Sequence, residues 1–316
     1  MKEKDISLPI LSYSTRLIAS EVNLDRLVDI SLDIFADFGN SDYAELLLLK
    51  NDFKTAQILG VLSQGNIEKS NKKINLDNND VIQILNSKLS GIYTDPEKGE
   101  LLCFPLIGTD NKPLGLLKLK ACEHSPQTMM VLTILTTLVA ISIENAQSFA
   151  LATFDGLTGL YVRRHFDNKL NEEINKIKIQ GGSLSLFLMD IDHFKKFNDT
   201  YGHQQGDMIL RELADLLKKS VRNNIDIPCR YGGEEFVTIL PVADINFAYD
   251  FANNFRKTCE LHDFKGEDQV LKVTISGGIS VINSDHVLRS EQMIQEADAL
   301  LYKAKESGRN RVLANM

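Results

Sequence analysis

The residues of this chain whose types and spacing most directly offer chemistry are two carboxylates behind two glycines, in the run Arg230-Tyr231-Gly232-Gly233-Glu234-Glu235-Phe236. Short apolar runs flank them, Ile225 to Cys229 and Phe236 to Leu240. The stretch therefore reads as a β-hairpin in which Gly232-Gly233 supplies the positive φ angles of a tight turn. A glycine-bared tip lets a ligand approach the backbone, and adjacent carboxylates can hold a divalent metal. Taken alone, the same four residues also suit a solvated turn. A further acid changes the balance. Apolar residues run from Leu184 up to Asp190, so this carboxylate emerges at the C-terminal end of a strand beside the hairpin tip, where Asp190 and Glu234 can converge. Converging hard oxygens suit Mg²⁺, with Mn²⁺ as the alternative, and two such ions about 4 Å apart could clamp the attacking and leaving oxygens of a phosphoryl transfer. The alternative for Asp190 is a buried carboxylate satisfied by backbone.

The elements that must position these groups follow from the pattern around them. After Asp155 the order is strand (184–190), helix (204–220), hairpin (227–240), helix (245–262), strand (272–280), helix (291–307) and a short strand (311–313), a β-α-β-β-α-β order of the ferredoxin or cyclase-palm kind. The first half reads differently. A helix carries Leu24, Leu27, Val28, Ser31, Leu32 and Phe35 with Asn23 as N-cap, and strands follow at 43–49 and 55–62. Next come a polar loop from Ser63 to Asp80, a short helix at 81–89, and strands at 101–107 and 114–120, giving an antiparallel sheet flanked by helices. From Gln127 to Ala152 there is neither Pro nor Gly, and Leu132, Leu135, Val139, Ser142, Ala146 and Phe149 follow the spacing of a two-helix seam. The expected class is α+β in two domains: residues 1–126, a connecting and dimerising helix at 127–152, and residues 153–316.

With 316 residues, 43% hydrophobic and 25% charged, the chain has the composition of an ordinary globular protein. A formal net charge of −8 argues against a nucleic-acid binder while leaving room for a metal-bound nucleotide. The four cysteines (Cys103, Cys122, Cys229, Cys259) lack C-x-x-C spacing, which argues against structural zinc, and a disulfide framework is not expected at this length, so a reducing cytoplasm fits best. The charged start Met1-Lys-Glu-Lys-Asp5 has no apolar segment behind it, and the apolar stretch Met129 to Ile143 is short for a bilayer, so neither a signal peptide nor a membrane anchor is expected.

Five separated motifs over 153–314 resemble the GGDEF family of diguanylate cyclases. They are Asp155-Gly-Leu-Thr158-Gly-Leu160, Asp190-Ile-Asp-His-Phe-Lys195-Lys-Phe-Asn198, Tyr201-Gly-His-Gln-Gln-Gly-Asp207, the Arg230–Phe236 hairpin, and Ala297-Asp298 through Lys305 to Gly308-Arg309-Asn310. The resemblance implies that two GTP are condensed to cyclic di-GMP by a homodimer whose two half-sites face each other. It places Mg²⁺ on Asp190, the Ile191 carbonyl and Glu234, with Glu235 as a further ligand and Glu234 as a candidate base. It assigns guanine to Asn198 and Asp207, and phosphate to Lys195, Lys305, Arg309 and the backbone amides of His193 and Phe194. The chemistry agrees: a carboxylate accepts from the guanine N1–H and amine, and helix-start amides suit phosphate. Lys305 and Arg309, four apart near a helix end, are expected on one face. Where many members carry an inhibitory Arg-x-x-Asp, this chain has Asn223-Asn-Ile-Asp226; Arg222 is one residue off and would point elsewhere from an extended segment.

The first half resembles a GAF domain in Leu101-Leu-Cys-Phe-Pro-Leu106, Pro113-Leu-Gly-Leu-Leu117 and Ile143-Glu144-Asn145-Ala146. That resemblance implies a small-molecule ligand, a cyclic nucleotide being the leading choice and an unliganded dimerisation module its rival. Cys103 is read as a core thiol, with chromophore attachment the minor alternative. Two rival functions remain at this level: a silent GTP or cyclic di-GMP receptor, and a cyclase making a mixed dinucleotide.

Overall fold

The computed structural model describes residues 7–50, 52–120, 125–266, 270–284 and 286–315; Cys122 and the charged start Met1–Asp5 lie outside them. The chain forms two compact units, Met1–Ala150 and Leu151–Met316.

The first unit holds helices α1 (Leu8–Ser20), α2 (Leu24–Phe38) and α3 (Asn79–Ser87), and α4 (Pro126–Thr153) starts within it. Its strands are β1 (Tyr43–Leu49), β2 (Thr55–Ser63), β3 (Asn66–Lys69), β4 (Lys73–Asn75), β5 (Gly91–Asp95), β6 (Gly99–Ile107) and β7 (Pro113–Lys120). The strand order is β3-β2-β1-β7-β6-β5, with β4 also on β2, and every pairing is antiparallel. Asn23 caps α2, its side chain accepting from the Arg26 amide at 3.0 Å. The polar 63–80 stretch is not a plain loop, because β3 and β4 add to β2 there. Each carries a single half-buried isoleucine, Ile67 or Ile74, which is too little alternation to reveal a strand.

Alternate residues of this sheet feed two cores. Ala44, Leu46, Leu117 and Leu119 pack with α1, α2 and α4, whereas Leu47, Ile58, Cys103 and Leu116 pack with α3. Cys103 is fully buried, and burial pushes its thiol up to about 12, which leaves it protonated and argues against chromophore attachment. Most of the expected dimer seam on α4 is turned inward. Leu132, Leu135, Val139, Ser142 and Ala146 are all buried, and the apolar ones belong to the unit's own core. Phe149 of the expected seam stands exposed, as do Met130, Ile134 and Ile141. Among the described residues, α4 is also the helix long and apolar enough to cross a bilayer, contrary to the length read from Met129 to Ile143.

The second unit contains β8 (Tyr161–Val162), α5 (Arg163–Gln180), β9 (Ser183–Ile191), α6 (Phe194–Tyr201), α7 (His203–Ser220), β10 (Ile227–Gly232), β11 (Glu235–Pro241) and α8 (Ile245–Leu261). Then come β12 (Phe264–Lys265), β13 (Val270–Leu271), β14 (Ile275–Asn283), α9 (Ser290–Glu306) and β15 (Val312–Ala314). The main sheet runs β15-β14-β9-β11-β10-β8, with β9 antiparallel to both β11 and β14. The βαββαβ core is thus β9, α7, β10, β11, α8, β14. Central strand β9 is covered on both faces. Phe187, Met189 and Ile191 pack with α6, α7 and α8; Leu184, Leu186 and Leu188 pack with α5 and α9. A period of two therefore assigns Asp190 to the α9 side.

Candidate functional site

Asp190 ends the Leu184-Leu186-Leu188 series, and its carboxylate meets Lys305 from the last turn of α9, at 2.9 Å. It is 8% exposed. Directly across the sheet its register partner is Glu235. Burial raises its pKa most, Lys305 opposes that, and the nearby charges of Glu234 and Glu235 raise it further, so the carboxyl is pushed up to about 6. This edge is short of positive charge. Among the described residues no ready-made cluster of three metal-binding side chains stands assembled. The hard-oxygen donors and their mutual repulsion nonetheless fit a divalent cation, with Lys305 as the resident counter-charge.

The hairpin differs from the reading of its glycines. Gly232 pairs with Glu235 as the last residue of β10, and the turn residues are Gly233 and Glu234. Only Gly233 of the two glycines has positive φ, +51°. Glu234 is thereby placed at the turn itself and Glu235 on the strand. The tip is braced by a residue the sequence did not single out. Arg230 donates to the Gly233 carbonyl at 2.9 and 3.0 Å and to Asp155 at 3.1 and 3.2 Å. Asp155 in turn accepts from the Thr158 amide and hydroxyl. The motif at the unit's entrance therefore anchors the acidic turn. Both residues stood in quoted motifs, but a separation of 75 positions hides the pairing.

His193 has left-handed φ (+58°) and opens α6 without a side-chain cap, with Phe194 as the first helical residue and Lys195 exposed after it. Left uncapped, the first amides of α6 are free to meet an anion. Asn198 lies near the end of α6, and its Oδ1 is buried with no hydrogen-bond partner among the described residues. A Cβ on Gly206 would stand 1.9 Å from that atom, so a side chain there would displace the Asn198 amide. The next residue, Asp207, is exposed on the first turns of α7. The structure thus brings Asn198 and Asp207 to neighbouring positions across the α6–α7 contact.

Two expectations are corrected. Lys305 and Arg309 do not share a helix face: α9 stops at Glu306, and Arg309 sits in the following turn with φ +61°, its amide donating to the Ala304 carbonyl. Gly308 is the stop signal that was there to read. The segment before β10 is also not extended. Arg222 turns back onto Asp226, with Nη2 2.6 Å and Nε 3.1 Å from Oδ1, while Nη2 also donates to the Pro241 carbonyl. The Asp226 side chain is fully buried under this pair, and Asn223 offers no replacement cation.

The family described as diguanylate cyclase, GGDEF domain, matches residues 152–311, just over half of the chain. Diguanylate cyclase A of Treponema denticola is 38% identical over 181 residues, 56% of this chain and 48% of its own length. Diguanylate cyclase DgcP of Pseudomonas aeruginosa is 31% identical over 306 residues, 92% of this chain and 44% of its own. The chain therefore spans less than half the length of these two relatives. Among solved structures, the coiled coil and GGDEF domain of DgcB from Caulobacter crescentus, in complex with c-di-GMP, matches with a TM-score of 0.51 and 32% identity, covering 54% of this chain and 88% of that one. With a match from residue 152 to 311 that includes the acidic hairpin, the chain belongs to the GGDEF family of diguanylate cyclase domains.

Proposed function

We propose that this protein is a diguanylate cyclase, condensing two GTP into cyclic di-GMP with release of two pyrophosphates. The observation that carries the reading is the meeting of Asp190, Lys305 and the Gly233-Glu234 turn at one sheet edge. Asp190, the Ile191 carbonyl and Glu234 would hold a divalent ion, Mg²⁺ or Mn²⁺, which supplies positive charge to the triphosphate when bound. Lys305, Lys195, Arg309 and the α6 amides would bind phosphate; Asn198 and Asp207 would read guanine. Each 3′-hydroxyl would form a bond to the α-phosphorus of the other nucleotide as the α–β bridging bond breaks, and Glu234 would take the hydroxyl proton. Incubating the purified full chain with GTP, ATP and Mg²⁺ should yield cyclic di-GMP alone. A mixed dinucleotide would overturn the guanine assignment, and bound but unconverted GTP would mark a receptor.

The reaction needs two half-sites, so the active form is a homodimer, and the exposed Met130, Ile134 and Ile141 on α4 are its proposed seam. The first unit is the proposed GAF-type sensor. Its cavity of about 300 Å³ is floored by Glu45 and Lys118, register partners 3.2 Å apart and both buried, with Tyr93 and Lys98 beside them. Charged side chains line it, so a small polar ligand, such as a cyclic nucleotide, is the proposed occupant. The acidic balance and the buried free thiols Cys103, Cys229 and Cys259 support a cytoplasmic setting.

Product inhibition should be weak. Asn223 lacks the guanidinium fork, and Asp226 is already consumed by Arg222. Progress curves with pyrophosphatase present should stay straight as cyclic di-GMP accumulates; a stall at micromolar product would show that another surface does this job.

A further inference from the structure

Asp192 follows the strand that presents Asp190, and it is buried, yet both of its oxygens are already taken. Oδ1 accepts from the Ser276 hydroxyl at 2.7 Å; Oδ2 accepts from the Thr274 hydroxyl at 2.7 Å and from the Asn310 amide at 3.0 Å. Asn310 is equally committed. Its Oδ1 accepts from Arg256 Nη1 at 2.8 Å, its Nδ2 donates to Glu260 Oε1 at 2.7 Å, and Arg256 and Glu260 pair with each other at 2.7 Å on α8. Each of these groups is thus committed to another part of the same fold. What they hold is the turn after α9, where Arg309 and Asn310 adopt left-handed φ of +61° and +45° in succession. Left-handed φ at two adjacent non-glycine residues is strained, and such a turn persists only where its surroundings fix it. Asparagine is among the residues that tolerate this conformation best.

We infer that Asn310, held by Asp192 on its backbone and by Arg256 and Glu260 on its side chain, is a positioning residue that fixes Arg309 beside Lys305 for a triphosphate. The inference rests on the proposed GTP site. It makes Arg309 effective only while its turn is clamped, and it links α8, which carries no site residue, to phosphate binding. A double-mutant cycle tests it on the full chain by calorimetry, with α,β-methylene-GTP plus Mg²⁺ and, separately, GMP. Asn310→Ala should weaken the triphosphate about tenfold, since small misplacements of a charged clamp are expensive. GMP affinity should stay within about twofold, because the guanine site is untouched. Arg309→Ala should cost about tenfold in the natural chain and less than about threefold on top of Asn310→Ala. Equal costs of Arg309→Ala in both backgrounds, or GMP weakened as much as the triphosphate, would overturn the clamp. If Asn310→Ala does not fold, Arg256→Gln carries the same cycle through the α8 anchor. A natural chain that binds the analogue but makes no cyclic di-GMP sinks the proposed reaction and leaves this test standing; one that does not bind it overturns both.

Discussion

Glu234→Gln is expected to lower cyclic di-GMP synthesis by at least about a hundredfold while leaving the fold intact, a loss in the range seen when one charge-stabilising group is removed from an active site. The amide keeps the size of the side chain and its place at the turn, whose backbone is fixed by Gly233 and by the Arg230 brace rather than by the carboxylate. Only the charge is lost. Its removal also relieves Asp190, whose carboxyl is raised by burial first and by Glu234 and Glu235 after that. The nucleotide-free variant should therefore melt no lower than the natural chain, as happens when an active site gives up repulsion kept for function. The sign of the pH effect is set the same way. A carboxyl raised to about 6 is ionised above that pH and takes up a proton as the pH falls through it, so Mg²⁺ binding to the nucleotide-free natural chain should weaken on the acid side of about 6. Turnover of Glu234→Gln within a few-fold of natural would remove the residue from the reaction.

The sheet edge that gathers these groups was legible because strands have a strict period of two. The apolar run to Asp190 and the two runs around the glycines determine which carboxylates meet, and the register places Glu235 opposite Asp190. Helix α5 was legible too and was passed over: Phe166, Leu170, Ile174 and Ile177 are buried at helical spacing. What sequence alone could not give was every pairing that crosses the chain. Asp155 with Arg230 and Asp192 with Asn310 join residues 75 and 118 positions apart, and nothing in local periodicity brings them together. The seam on α4 misled for a physical reason. The same spacing serves a partner helix and a domain's own sheet, and a helix apolar on more than one side satisfies both patterns at once. Leu135 and Val139 went to the sheet; the partner-facing role falls to the flank beside them.

That division gives the second large effect. Leu135→Lys should destabilise the first unit by about 4 kcal/mol or more, because an ammonium would be buried without a partner among Leu132, Val139 and Phe35. Urea denaturation should show the loss directly. Ile134 is the adjacent residue, yet it is 49% exposed, and Ile141 is 36% exposed. Lysine at both should leave unfolding within about 0.5 kcal/mol of natural, the usual range for surface changes. In a dimer joined along this flank, however, those lysines would face their own copies. Sedimentation should then shift from dimer toward monomer. Specific activity should become concentration-dependent, because half-sites no longer tethered at an effective concentration on the order of millimolar must meet from bulk solution. The outcome that sinks the seam is a doubly substituted Ile134→Lys, Ile141→Lys chain that stays dimeric with constant specific activity on dilution. A Leu135→Lys chain that folds normally and sediments as a monomer would instead restore the buried flank as the interface, against the packing that assigns Leu135 to the core of its own unit.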